Sequence, residues 1–281
     1  TLWLDVAARD WSDASLAAAG LTRAHMPRLH EGTGTTGTLR AATAQRWGMA
    51  AVPIAAGAGD NAAGAVGVGV IADGDALLSL GTSGVILAAT RDFRPNPAGA
   101  VHAFCHCLPG LWHQMSVHLS AASCLDWAAA ATGLNVPELL SAAETAGAAS
   151  GPELFLPYLS GERTPHNDPH IRAALLNLSN DSDTGRIAAA VLEGVAFAHA
   201  DGLAALAAAG TRIERLAVIG GGSRSRHWGS IIAAALGVTL EYLDGGEVGP
   251  ALGAARLARI AVTGASLADA CPRPATLAEV A

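Results

Sequence analysis

The sequence predicts an α/β protein in which a mixed sheet is flanked by helices. Alternating apolar segments around 76–90 and 101–117 read as successive hairpins, the second turning at Pro109-Gly110. A strand–GGGSRS–helix unit follows at 215–236. Between them a capped helical stretch from Asp183 to Gly210 shows an apolar face through Ile187, Val191, Val195 and Leu203.

Taken in order, residues 1–30 read as helical, with Asp10-Trp11-Ser12-Asp13 leading into a helix at 14–19 that Gly20 ends. Residues 32–37 read as a polar loop, 39–47 as a short helix and 52–56 as a strand. Helices are expected at 119–132, with Leu125, Trp127 and Ala128 in the core, and at 135–149. A buried strand at 154–159 leads into the loop SGERTPHNDPH at 160–170. There Glu162 and Arg163 are expected to hold the loop by an ion pair or backbone bonds. In the long helix, Glu193, His199 and Asp201 are read as solvated. A strand at 238–242, an alanine-rich helix at 249–263 with Pro250 in its first turn, and a peripheral tail at 272–281 complete the chain.

Composition narrows the classes. The 281 residues are 51% hydrophobic and 15% charged, which excludes disorder. The net charge, 17 − 24 = −7, gives no general affinity for nucleic acid or anionic membrane. No uninterrupted apolar run is long enough to cross a bilayer. The opening TLWLDVAARD lacks the basic start and apolar centre of a secretory signal. Cys105, Cys107, Cys124 and Cys271 show no CxxC spacing, so reduced thiols and a cytoplasmic location are expected. Cys105-His106-Cys107 invites a zinc site, but on a strand the cysteines and the histidine point to opposite faces. Small apolar cysteines on one face are the plainer reading, and no metal ligand is assigned.

The chemistry concentrates at 54–84, where two glycine-rich turns are expected. In Gly57-Ala58-Gly59-Asp60-Asn61-Ala62-Ala63-Gly64, a lone carboxylate and an amide sit among small residues. Asp60 could accept a proton and Asn61 could bond a hydroxyl of a polyhydroxylated substrate. The plain alternative is a glycine hairpin with a solvated aspartate. A dinucleotide-binding reading of Gly57-x-Gly59-x-x-Ala62 fails, because Asp60 would face the pyrophosphate and the glycines at 63–69 oppose a helix there. The second turn, Gly81-Thr82-Ser83-Gly84, offers amides and hydroxyls to a phosphate. A third, Gly220-Gly221-Gly222 with Ser223 and Ser225, opens a helix whose N-terminus favours anions; an ordinary tight strand–helix turn would need fewer glycines.

Together GDNAAGAVGVG at 59–69, LGTSG at 80–84, FLPYLSGERTPHNDP at 155–169, VLEGVAF at 191–197 and VIGGGSRS at 218–225 resemble the FGGY family of carbohydrate kinases, in motif and in order. The resemblance implies an actin-like ATPase (ribonuclease-H-like) fold. It implies residues 1–70 as the end of a sugar-binding domain and 71–281 as a nucleotide-binding domain. It makes Asp60 the catalytic base and Asp60 with Asn61 the sugar contacts. Gly81 and Thr82 would face the nucleotide phosphates, with Gly220, Gly221, Gly222 and Ser225 on the adenosine side. The helix starting near Ala121 and Ala122 would be a further nucleotide contact. The implied ligands are ATP, Mg2+ and a sugar, D-xylulose foremost, and the implied assembly is a homodimer. The family's opening strand with its DxGT-type turn has no match here, so the first domain is expected to be incomplete and this chain alone inactive. A kinase for another pentulose or polyol, or a non-catalytic ATP-binding scaffold of the actin-like fold, stays open.

Overall fold

The computed structural model describes residues 2–147, 151–245 and 249–281. The chain opens with a small hairpin, β1 (Leu4–Asp5) and β2 (Asp10–Trp11), before α1 (Asp13–Ala18). The helical reading of the first thirty residues is corrected here: helix begins only where the Ser12 hydroxyl accepts the Ser15 N–H as an N-cap. Next, β3 (Thr35–Thr38), α2 (Ala41–Arg46) and β4 (Pro53–Ala55) follow, β3 pairing with β4. All four residues of β3 are exposed, so no apolar alternation marked it in the sequence.

The first glycine-rich turn proves to be helical from its aspartate onward, as α3 (Asp60–Gly67). Both hairpins form, as β5 (Ala76–Leu80), β6 (Gly84–Thr90), β7 (His102–Cys105) and β8 (Trp112–His118), but β7 ends at Cys105, so His106 and Cys107 lie beyond the strand. Then come α4 (Ala122–Thr132), closed by left-handed Gly133, and α5 (Val136–Ala146), opened by a capping box of Asn135 and Glu138. The expected extension of α5 is cut short at the cap, Gly147, and residues 148–149 lie outside the described residues. The remaining elements are β9 (Leu154–Leu156), β10 (Ala174–Leu176), α6 (Thr184–Ala208), β11 (Arg215–Ile219), a 3-10 turn at Gly221–Arg224, α7 (Arg226–Leu236), β12 (Thr239–Leu243), α8 (Gly249–Thr263), α9 (Leu267–Ala270) and β13 (Thr276–Val280).

The central sheet has seven strands in the order β13-β12-β11-β5-β6-β8-β7. β11 runs parallel to both β5 and β12, and the other pairs are antiparallel. The tail read as peripheral is thus an edge strand of this sheet, with Leu240 opposite Val280. Period-2 alternation sorts the strands' side chains between two cores. Leu78, Leu80, Ile86, Val218 and Leu240 pack under the layer of α4, α5, α6 and α7. Leu77, Val85, Leu87 and Ala217 face Ala65 and Val68 around α3. By length and composition α6 could cross a membrane, but 61% of its apolar window is buried inside the protein. It is the central helix of the larger core.

Three further expectations change. His199, read as solvated, is completely buried in α6. Trp127, read as core, is 40% exposed and stacks on Phe155. Of the segment at 154–159, Phe155 and Pro157 are buried while Leu154 and Leu156 face outward. A short two-stranded ribbon can bury only one of its faces.

Why α3 is a helix despite its glycines follows from its partner. A side-chain carbon on Gly67 would lie 1.9 Å from the Gly249 carbonyl oxygen, and one on Gly253 only 1.8 Å from that of Ala63. The two helices touch backbone to backbone. Glycine costs helix propensity by ~1 kcal/mol relative to alanine, and here that cost is offset by an approach that no other residue permits.

Candidate functional site

The carboxyl ends of the parallel strands β5 and β11 lie side by side, with Ile219 paired to Ser79. The turns that leave them, 81–83 and 220–222, therefore emerge together. In open α/β sheets ligands collect beyond such strand ends. Gly220 is left-handed at φ 89°, and a carbon added to it would sit 2.8 Å from the Leu80 carbonyl oxygen. Gly222 is wedged between Leu80 and Trp228, whereas Gly221 faces open space. The three glycines thus divide the work: two seat the turn and one leaves room for a ligand.

Gly221, Gly222 and Ser225 line a cavity of about 720 Å³ together with Ala122 and Leu125 of α4 and Val136 of α5. Its size suits a small-molecule ligand, for which ~300–1,000 Å³ is usual. The Ser225 hydroxyl caps α7 by accepting the Trp228 N–H at 3.1 Å. Ser223 is spent on the Gly220 carbonyl at 2.7 Å.

Gly81 and Thr82 sit at the start of α4. The Gly81 carbonyl accepts from Ala122 N–H, and the Thr82 carbonyl accepts from Ala121 N–H, both at 2.9 Å. The Ser123 hydroxyl donates to the same Thr82 carbonyl at 2.9 Å. The Gly81 N–H is used internally, on the Ser83 carbonyl at 3.1 Å. The exposed Thr82 and Ser83 are left to present amides and hydroxyls outward. So α4 holds this turn with its first-turn amides and lines the cavity with side chains, and the turn and the Gly220–Gly222 loop meet at Leu80.

Asp60 occupies the first turn of α3, beyond an N-cap at Gly59, and is exposed. Its Oδ1 accepts from the Asn61 backbone N–H at 2.8 Å and from Asn61 Nδ2 at 3.3 Å. A carbon built on Gly64, one helical turn on, would lie 3.9 Å from Ile219 Cδ1. That contact docks α3 against the end of β11. Asp60 and Asn61 open into a different cavity, of about 730 Å³. The structure thus separates the Asp60–Asn61 pair from the Gly221, Gly222 and Ser225 cavity, on either side of the strand ends.

Arg9, on the wall of the Asp60 cavity, had no signal in the sequence because it arrives from a distant segment, whereas Cys105, His106 and Cys107 stood out there only as an unassigned metal motif. Arg9 reaches both Glu31 oxygens at 2.9 and 3.0 Å and the Leu111 carbonyl at 2.7 Å. His106 and His113 meet edge to face on the wall, 5.6 Å between centroids. Burial pushes His106 down to about 4 and His113 to about 3, so both are neutral imidazoles near pH 7. Cys105 and Cys107 also line this cavity half-buried, donating toward the Val6 and Ala62 carbonyls at 3.6 and 3.8 Å. Burial raises the Cys107 thiol to about 12. Among the described residues no group of three or more His, Cys, Asp or Glu side chains is arranged to hold a metal ion.

Comparisons with known proteins agree with this architecture. The family model for "FGGY family of carbohydrate kinases, C-terminal domain" matches residues 76–262, and the N-terminal domain model of the same family matches residues 1–67. The xylulose kinase of Escherichia coli (strain K12) is 55% identical over 262 residues, covering 93% of this chain and 54% of that protein. The xylulose kinase of Klebsiella pneumoniae is 54% identical over 263 residues, with 93% and 54% covered. The chain spans about half the length of the curated relatives it matches. A crystal structure described as a "xyloylose kinase" from Brucella ovis superimposes with a TM-score of 0.94 at 49% identity, over 99% of this chain and 58% of that one. Plasmodium falciparum glycerol kinase with ADP, at 19% identity and a TM-score of 0.89, shares the fold. The mixed sheet flanked by helices is the actin-like ATPase architecture of these kinases.

Proposed function

The chain belongs to the FGGY family of carbohydrate kinases, and from that premise we propose that the whole protein phosphorylates D-xylulose to D-xylulose 5-phosphate with ATP. The observation that carries the reading is Asp60 beside Asn61 at the start of α3, exposed in a cavity and docked at the end of β11. The names of the xylulose kinases the chain resembles supply the sugar.

Phosphoryl transfer asks the protein for positioning and charge stabilisation more than for covalent chemistry. In this reading Asn61 bonds a sugar hydroxyl and Asp60 takes the proton of the attacking one. The sugar oxygen bonds to the γ-phosphorus as the bond to the bridging oxygen breaks, and ADP leaves. The outward amides and hydroxyls of Thr82 and Ser83 face the phosphates, with Gly81 setting the turn. Gly220, Gly221, Gly222 and Ser225 seat the adenosine side, where the open face of Gly221 admits the ligand. Mg2+, implied by the family, would neutralise phosphate charge; the described residues give it no ligand set of their own.

The same reading takes residues 1–70 as the sugar side and 71–281 as the nucleotide side, supported by the gap between the family-model matches. It carries a homodimer, a cytoplasmic location and no nucleic-acid or membrane partner. The test is coupled ADP release by the whole protein with ATP, Mg2+ and a panel of pentuloses and polyols. Turnover that requires D-xylulose is the expected result. ATP binding without any sugar-dependent turnover would turn the reading into that of a scaffold.

A further inference from the structure

Behind the Thr82 turn lies a polar cluster that the proposed chemistry does not use. His118 at the end of β8, His199 in α6 and Glu162 in the loop after β9 are all buried in the larger apolar core. His118 Nδ1 is 3.4 Å from Glu162 Oε2, within ion-pair range but unaligned for a hydrogen bond. The His118 and His199 rings are 4.6 Å apart. His118 Nε2, His199 Nε2, Ser116 Oγ and Ser120 Oγ also lack partners. Leaving polar groups buried and unpaired costs free energy. A core built for stability alone would have put aliphatic side chains here.

The cluster is wired to the turn from both ends. Glu162 Oε1 accepts the Leu119 N–H at 2.9 Å and its own neighbour's, Arg163 N–H, at 2.7 Å. Leu119 sits two residues before Ala121, whose N–H, with that of Ala122, holds the Thr82 and Gly81 carbonyls. On the other side, His118 pairs with Gly84 across the sheet. A carbon built on Gly84 would be 2.3 Å from His199 Nε2, so the His199 ring is the floor under the turn's last residue. His199 Nδ1 donates to the Val195 carbonyl at 2.8 Å, which fixes the ring's orientation. Burial lowers His199 to about 3, leaving it neutral with its bare Nε2 toward Gly84.

We infer that Glu162, His118 and His199 are positioning residues for the phosphate-facing turn, acting through Leu119 and Gly84 on the geometry of Gly81 and Thr82. The inference rests on the kinase reading only for which ligand the turn meets. In the whole protein, Glu162→Ala should lower kcat/KM for ATP by ~10–100-fold while KM for the sugar changes by less than ~3-fold. Glu162→Gln should recover most of that loss, because its amide oxygen still accepts from Leu119 and Arg163. A second pair is independent of Glu162. Gly84→Ala should weaken ADP binding in calorimetry by ~10-fold, and adding His199→Ala, which removes the clash but also the floor, should recover part of that loss, a coupling typical of residues in contact.

Two results overturn the inference. One is a folded Glu162→Ala protein with ATP parameters within ~3-fold of wild type. The other is a Gly84→Ala/His199→Ala protein no tighter for ADP than Gly84→Ala. Should Glu162→Ala fail to fold, the Gly84 pair decides. Wild-type protein without sugar-dependent turnover would sink the kinase reading, and the ADP measurements would still decide the positioning role.

Discussion

The Asp60 end of α3 and the Gly220–Gly222 turn are built on opposite principles. At α3 the group proposed to react is an exposed side chain, and the elaborate part is the seam with α8 beneath it. At the glycine turn the surface proposed to face the ligand is the backbone itself, and its neighbours Leu80 and Trp228 are already in contact. The first region can lose its chemistry without losing its fold. In the second, shape and chemistry reside in the same atoms, except at Gly221.

Asp60→Asn is the sharpest way to test that division. It should lower kcat at least ~10²-fold in the whole protein, with the melting temperature unchanged because the carboxylate is exposed. Near-normal turnover would remove Asp60 from the mechanism, and a fall in Tm would show that it also supports the fold. Gly253→Val attacks the seam instead, where the Ala63 carbonyl leaves no room. We expect destabilisation of ~1–3 kcal/mol or more, read as a lower denaturation midpoint with activity falling in step.

Gly221→Val should weaken ADP affinity by ~10-fold in titration calorimetry if this face meets the nucleotide. Sugar KM and Tm should hold, since nothing lies within 4 Å of the added carbon. Unchanged ADP affinity would return the turn to a purely structural role.

Acid titration should sharpen the contrast on the Asp60 side. His106 and His113 are held neutral by burial at about 4 and about 3, against an ordinary 6.5. The unfolded chain then binds more protons than the folded one over that interval. Their contribution is intact above pH ~6.5 and is lost as the pH falls toward 4. A stability–pH curve for His113→Phe flatter than wild type between these values is expected; parallel curves would assign the acid loss elsewhere.

The smallest effect is assigned to Arg163→Ala. The loop's anchor is the buried Glu162, bonded to backbone amides, whereas Arg163 is exposed and bonds His102 at 3.2 Å. A change in stability within ~0.5 kcal/mol follows, and a larger one would show that the contact to β7 matters.

Sequence alone determined the elements whose signals are local. The hairpin strands alternate, Asn135, Asp183 and Ser225 cap the helices they precede, and Gly133 ends α4 in the left-handed region. These preferences are set by residues within a few positions of one another. Asp60, Asn61 and the three glycine motifs stood out as candidates for the same reason, as compact clusters of unusual composition, although the first motif was expected as a turn and is helical. Tertiary structure decided whatever depends on a distant partner. The helix α3 exists against its own propensity because α8 comes close enough to need glycine on both sides. The buried state of His199 depends on His118 and Glu162, which arrive from a strand and a loop remote in sequence. The tail became an edge strand because β12 offered it an unpaired ladder. Local stereochemistry acts over a few residues, whereas packing and burial belong to pairs of surfaces, and a surface has no partner until the chain has folded.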